Sequence, residues 1–162
     1  MTREAIGLAG FNSLPADAAE QALLACCSSP RWARAIAAAR PYVNAVSLLD
    51  AADAALDALD EADIDAALAG HPRIGERATG AAAHEQSGVS GDDVRARLAE
   101  GNRAYEEKFG HIYLVCAAGR SGEELLAVLR ARLDNDPTTE RRVMRDELAK
   151  INRLRLTQLV AS

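Results

Sequence analysis

Helix-start signals recur along this chain, and with the spacing of its apolar residues they leave room for little besides helices. Ser13-Leu14-Pro15 places a proline in an early helical position, where its missing N–H costs nothing. Ser29-Pro30 repeats the signal, Asp60 to Asp63 restarts a helix, and Ser90 stands three residues before Asp93 as an N-cap. Ser121 and Glu124 have the spacing of a capping box, and Asp136-Pro137 opens the last segment. Between these signals apolar residues fall at three- and four-residue steps. Ala19, Leu23 and Leu24 form one stripe, Trp32, Ala33, Ile36 and Ala37 the next, and Val46, Leu49, Ala52 and Leu56 a third. Val94, Leu98, Tyr105 and Phe109, then Leu125, Leu129 and Leu133, continue the pattern. Pro41, Gly70 and Gly110 mark the stops.

The helices expected run over about 15–27, from Ser29-Pro30 to Pro41, 43–59, from Asp60 to Gly70, 81–88, from Ser90 to Gly110, from Ser121 past Leu133, and from Asp136-Pro137 nearly to the C-terminus. Ile112 to Cys116 is one extended-looking apolar run, too short to imply a sheet. Composition agrees: apolar residues make up 49 %, mostly Ala and Leu with few β-branched, and aromatics only 4 %. The expected fold is all-α, a single-domain helical bundle of about seven to nine helices over residues 1–162.

A net charge of −5 argues against a nucleic-acid partner, which would want a basic face. No apolar run reaches membrane-spanning length, and the N-terminus lacks the charged-then-apolar pattern of a signal peptide. Cys26, Cys27 and Cys116 are an odd set with two neighbours that cannot readily bridge, which reads as buried thiols in a reducing compartment. The expected location is the cytoplasm. The acidic run from Asp50 to Asp65 reads as a solvated helix face.

Chemistry concentrates in the glycine-punctuated loop 71–80 and just beyond it. His71 is the side chain type that both takes and gives a proton near neutrality, and Glu85 and Gln86 follow within a short reach. A capping histidine in a loop accounts for His71 equally well on spacing alone. In the last helix Met144, Leu148, Ile151 and Leu159 share one side, and Arg155 lies in the middle of that stripe. A guanidinium on a core-facing position demands a partner. Two readings stand: an internal salt bridge or snorkelling stem, or a buried fork for a substrate's anionic or amide oxygens. Arg153 projects to the opposite, solvated side. His71, His84 and His111 lack the i, i+4 spacing of a zinc pair, so no metal is expected, and no cofactor fingerprint is present. His84 reads as a surface residue beside Glu85, His111 as a loop or C-cap histidine, and Gly119-Arg120-Ser121-Gly122 as a capped helix start.

Taken in order, several short motifs resemble one family. They are Phe11-Asn12, Pro30-Arg31-Trp32-Ala33, Arg40-Pro41, His71-Pro72-Arg73-Ile74-Gly75, Glu85-Gln86, Asn102-x-x-Tyr105 and Lys108-Phe109-Gly110. Arg132-Leu133, Lys150-Ile151 and Arg155-Leu156 complete the set. No single motif is specific, but the ordered series resembles the 2-oxo-4-hydroxy-4-carboxy-5-ureidoimidazoline (OHCU) decarboxylases of urate degradation over almost the full length. The resemblance implies an all-helical homodimer that needs no cofactor and converts OHCU to (S)-allantoin with loss of carbon dioxide. It implies His71 and Glu85 as the catalytic pair, with Pro72, Gln86, Phe109, Gly110, Ile112, Leu114 and Arg155 binding substrate. One departure stands out: Ala82 occupies the position, three residues before the glutamate, where the family commonly has a hydroxyl. The alternatives are a catalytically weak member acting as a helical interaction module, and a small helical hydrolase or lyase using His71 and Glu85 on another carbonyl compound.

Overall fold

The computed structural model describes residues 5–76 and 78–162. Among the described residues it contains nine α-helices: α1 (Gly7–Ser13), α2 (Ala16–Leu24), α3 (Pro30–Ala38), α4 (Ala45–Asp57), α5 (Glu61–Ala69), α6 (Gly80–Glu85), α7 (Asp92–Phe109), α8 (Gly122–Arg132) and α9 (Pro137–Leu159). The fold is all-α. No helix among the described residues is long and apolar enough to cross a membrane. The chain divides into two compact units, His71–Leu148 and residues 5–70 with Ala149–Ser162, so α9 contributes its first half to one and its second half to the other.

In the unit built from α1 to α5 and the end of α9, α3 packs against both α2 and α4. Alanine makes this close packing feasible: Ala19, Ala33, Ala52 and Ala67 are buried between larger Leu23, Trp32, Ile36, Leu48 and Ile64 side chains. The caps are those the sequence announces. Ser29 accepts from the Trp32 N–H, Asn44 from Ser47 and Asp60 from Asp63. Several polar groups drawn inside are matched. The Trp32 indole donates to the Ala52 carbonyl at 3.1 Å, and Asn12 pairs both ends of its carboxamide with the Tyr42 backbone at 2.9 Å. Arg40 ties α1 to α3 by donating to the Phe11, Leu14 and Ala37 carbonyls at 2.8, 2.7 and 2.9 Å.

One helix has no counterpart in the expected set, and two expectations need correcting. Helix α1 carries no start signal and buries only Phe11; the Ile6 N–H donates to the Leu159 carbonyl at 2.9 Å, a contact that no local pattern foretells. Pro15 is itself the N-cap of α2 rather than a residue inside it. Ser90 does not cap α7: Gly91, at φ +94°, takes that position, a backbone conformation a serine would adopt only under strain. Asp92 and Asp93 then fill the first turn, where the helix dipole favours negative charge.

In the unit His71–Leu148, α7 packs on α8 around Val94, Leu98, Tyr105, Leu125, Leu126 and Leu129. The capping box at Ser121 and Glu124 is present, with both reciprocal bonds. Residues 112–116 form neither helix nor strand, with Tyr113, Leu114 and Val115 buried. Side chains take the place of a ladder. Arg132 donates to the Leu114 carbonyl at 2.7 Å, the Cys116 N–H donates to Glu147 at 3.2 Å, and His111 contacts the Ile112 carbonyl at 3.0 Å. Arg132 is in turn buried against Glu140, with its Nε 2.8 Å from Oε2, while Tyr105 and Asn135 also donate to that carboxylate.

One glycine in this unit is sterically required. A Cβ on Gly88 would lie 2.2 Å from the Arg120 carbonyl oxygen, a backbone atom that cannot step aside. Gly88→Ala is expected to cost about 1–3 kcal/mol, as overpacking does. The check is a lower urea midpoint at unchanged m-value; an unaltered midpoint would show that the two segments can part without loss.

Candidate active site

The loop after α5 begins at His71, which is half-buried, and closes at Thr79, which precedes the first residue of α6. Its middle is pinned. Ile74 is buried in the α7–α8 core, and its carbonyl accepts from Asn102 at 2.9 Å. The Gly75 N–H donates to the Gln86 carbonyl oxygen at 3.0 Å, and the Gly75 carbonyl accepts from Arg95 at 2.7 Å. Gly75 has φ +94°, and a Cβ there would stand 3.3 Å from Leu98, so both conformation and space call for glycine. On the outer side Arg73 grips Glu106 through two bonds of 2.9 and 2.8 Å. The loop is thus held at Arg73, Ile74 and Gly75, two to four residues after His71.

Glu85 ends α6 and is buried, a position where a carboxylate needs partners. Gln86 follows as the cap and commits its carbonyl oxygen to Gly75, so what it can offer a ligand is its NH2 group. Burial pushes the Cys116 thiol up, and the Glu147 and Glu85 carboxylates add to that push. Both acids therefore lie within electrostatic reach of the end of the segment 112–116. Phe109 packs at a tilt of 52° against Tyr105, 4.6 Å between centroids, and Gly110 closes α7 in the left-handed conformation at φ +77°. Ile112 is half-buried; Leu114 is buried, with its carbonyl occupied by Arg132. Pro72 is half-buried beside His71, and Ala82 is half-buried within α6.

His84 is exposed, as expected of a surface residue. His111 packs edge-on against Tyr105 at 5.5 Å. A cleft of about 420 Å³ opens on the Arg73–Glu76 side of the loop, and neither His71 nor Glu85 lines it.

In the other unit Arg155 is buried on the α9 face shared with Ile151, Leu156 and Leu159, and its Nη1 donates to the Cys26 carbonyl at 2.9 Å. Arg153 is not simply solvated: it is half-buried and pairs with Asp53. The acidic run is likewise partly engaged, since Asp63 pairs with Arg31 at 3.2 Å and Asp60 caps α5. The sequence names Arg132 and Asn102 only as parts of motifs and gives no role to them or to Glu140, Glu147, Asn152 and Arg95. Arg132 could have been found by the test that found Arg155, because it follows Leu125 and Leu129 on one helical face.

A family model described as OHCU decarboxylase matches residues 12–157. The chain is 30 % identical over 141 residues to a 2-oxo-4-hydroxy-4-carboxy-5-ureidoimidazoline decarboxylase of Amia calva, covering 81 % of each. It is 29 % identical over 145 residues to the uric acid degradation bifunctional protein TTL of Arabidopsis thaliana, covering 83 % of this chain but only 45 % of that longer protein. Among solved structures, an OHCU decarboxylase in the presence of (S)-allantoin superposes with a TM-score of 0.79 at 27 % identity, over 88 % of this chain and 99 % of that one.

Proposed function

This chain belongs to the OHCU decarboxylase family, and from that premise we propose that it decarboxylates OHCU to (S)-allantoin in urate degradation. The observation that carries the reading is the family match over residues 12–157, which includes the pinned His71 loop, the buried Glu85 and the buried Arg155. The substrate itself supplies the electron sink. When the bond to the carboxylate breaks, its electron pair forms a carbon–carbon double bond to the former imine carbon, and the imine nitrogen takes up the displaced pair with a proton. The adjacent hydroxyl then gives up its proton, and the former imine carbon receives one, leaving a carbonyl. The sum is carbon dioxide released and one proton gained. This chemistry asks the protein for orientation, electrostatics and proton transfer.

In this reading His71, steered by Glu85, takes the hydroxyl proton, and one of the pair protonates carbon from a single face. Arg155 receives the ring and ureido oxygens, and Gln86 donates its NH2 to the polar ring edge. Pro72, Phe109, Gly110, Ile112 and Leu114 line the substrate. The same reading takes the chain to work as a homodimer and a single domain in the cytoplasm, without a cofactor. The test generates OHCU in situ from urate and follows optical activity. Spontaneous decay gives racemic allantoin slowly; the protein is expected to give one enantiomer quickly. An unchanged slow racemate would overturn the decarboxylase reading, and would favour the interaction module to which Ala82 points.

A further inference from the structure

Asn152 of α9 is 2 % exposed, yet among the described residues neither the oxygen nor the nitrogen of its carboxamide has a hydrogen-bond partner beyond the Cys27 thiol. In the same unit Asn12, Trp32 and Arg40 satisfy their polar groups on backbone atoms. What lies against Asn152 is the Cys27 thiol, which burial pushes up to about 11 although Asn152, Ser29 and Arg155 pull the other way. A thiol kept protonated is a weak partner, so it leaves the carboxamide essentially unanswered. Burying such a group without a partner is unfavourable, and a ligand that pairs with it removes the penalty.

The placement says which ligand. Asn152 and Arg155 are three residues apart on one helix, so they are neighbours on its surface. Both act on the Cys27 thiol, and Arg155 also donates to the neighbouring Cys26 carbonyl. A carboxamide presents one acceptor and a donor pair side by side, the complement of an N–H beside a C=O. Ureido groups and hydantoin-type rings carry that edge.

We propose that Asn152 is a further substrate-binding residue, pairing with an N–H/C=O edge of the cyclic ureide that Arg155 receives. The assignment rests on the reading of Arg155 given above. It makes Asn152 a determinant of specificity, because an analogue without that edge would leave the carboxamide buried and unpaired.

Asn152→Leu, of nearly the same size, tests this through two readouts: KM and kcat on freshly generated OHCU, and the thermal shift produced by (S)-allantoin. KM is expected to rise about five- to tenfold, the worth of one hydrogen-bonding group, with kcat nearly unchanged. The allantoin shift should shrink, while the unliganded variant melts no lower than the wild type because the orphaned group is gone. An unchanged KM with an unchanged allantoin shift overturns the proposal. Should Asn152→Leu fail to fold, Asn152→Ser decides by the same two readouts. A wild type inert toward OHCU would sink the decarboxylase reading, and the (S)-allantoin shift, which needs no turnover, would still decide Asn152.

Discussion

His71→Ala slows turnover of freshly generated OHCU by about 10²–10⁴-fold, the range that a positioned acid–base group contributes. The loss should fall on kcat, because the methyl group removes proton transfer without touching the bonds that fix the loop. Those bonds come from Gln86, Arg95 and Asn102 to Ile74 and Gly75, and none of them involves the imidazole. Glu85→Gln is expected to lower kcat comparably, since an amide neither steers the imidazole electrostatically nor carries the second proton. If that loss is confined to KM, Glu85 is a binding residue. If His71→Ala keeps near-normal turnover, the base lies elsewhere.

Glu140→Ala destabilises the fold by about 3–5 kcal/mol, because it leaves the Arg132 guanidinium buried without its counter-charge. Glu140 is fully buried and accepts from Arg132, Tyr105 and Asn135. Burial pushes its carboxyl up, but Arg132, Tyr105 and Asn135 outweigh that and hold it below its ordinary value of 4.5. The sign of the linkage follows. A carboxyl held low in the folded state contributes stability above 4.5, and that contribution fades as pH falls through the folded value. Urea denaturation between neutral pH and pH 3 should show the wild type losing this share and Glu140→Ala losing nothing at that site. The double variant Arg132→Met/Glu140→Ala should be less damaged than the sum of the singles. It will not recover wild-type stability, since the Leu114 carbonyl and the Tyr105 hydroxyl lose their partners. Full additivity would mean that Arg132 and Glu140 act independently.

Local chemistry was legible and non-local chemistry was not. Ser29, Asp60 and the Ser121–Glu124 box cap helices because the groups they satisfy lie three residues away. Arg155 was found by periodicity, because a helical face is a sequence pattern before it is a surface. The same pattern misjudged Arg153: periodicity says which way a side chain leaves its own helix, not that Asp53 of α4 waits there. Ser90 failed as a cap because the turn geometry at Gly91, with its positive φ, overrode the better-known capping residue.

The sequence by itself determined that this chain is helical, where most of its helices begin and end, and which loop carries the histidine. Each of those follows from interactions closed within about four residues along the chain. The tertiary structure alone decided that Gln86, Arg95 and Asn102 clamp the His71 loop, that Arg132 and Glu147 hold the segment 112–116, and that Asn152 is buried with no hydrogen-bond partner beyond the Cys27 thiol. Those depend on which distant side chain reaches which backbone atom, and no periodicity encodes a distance across the fold.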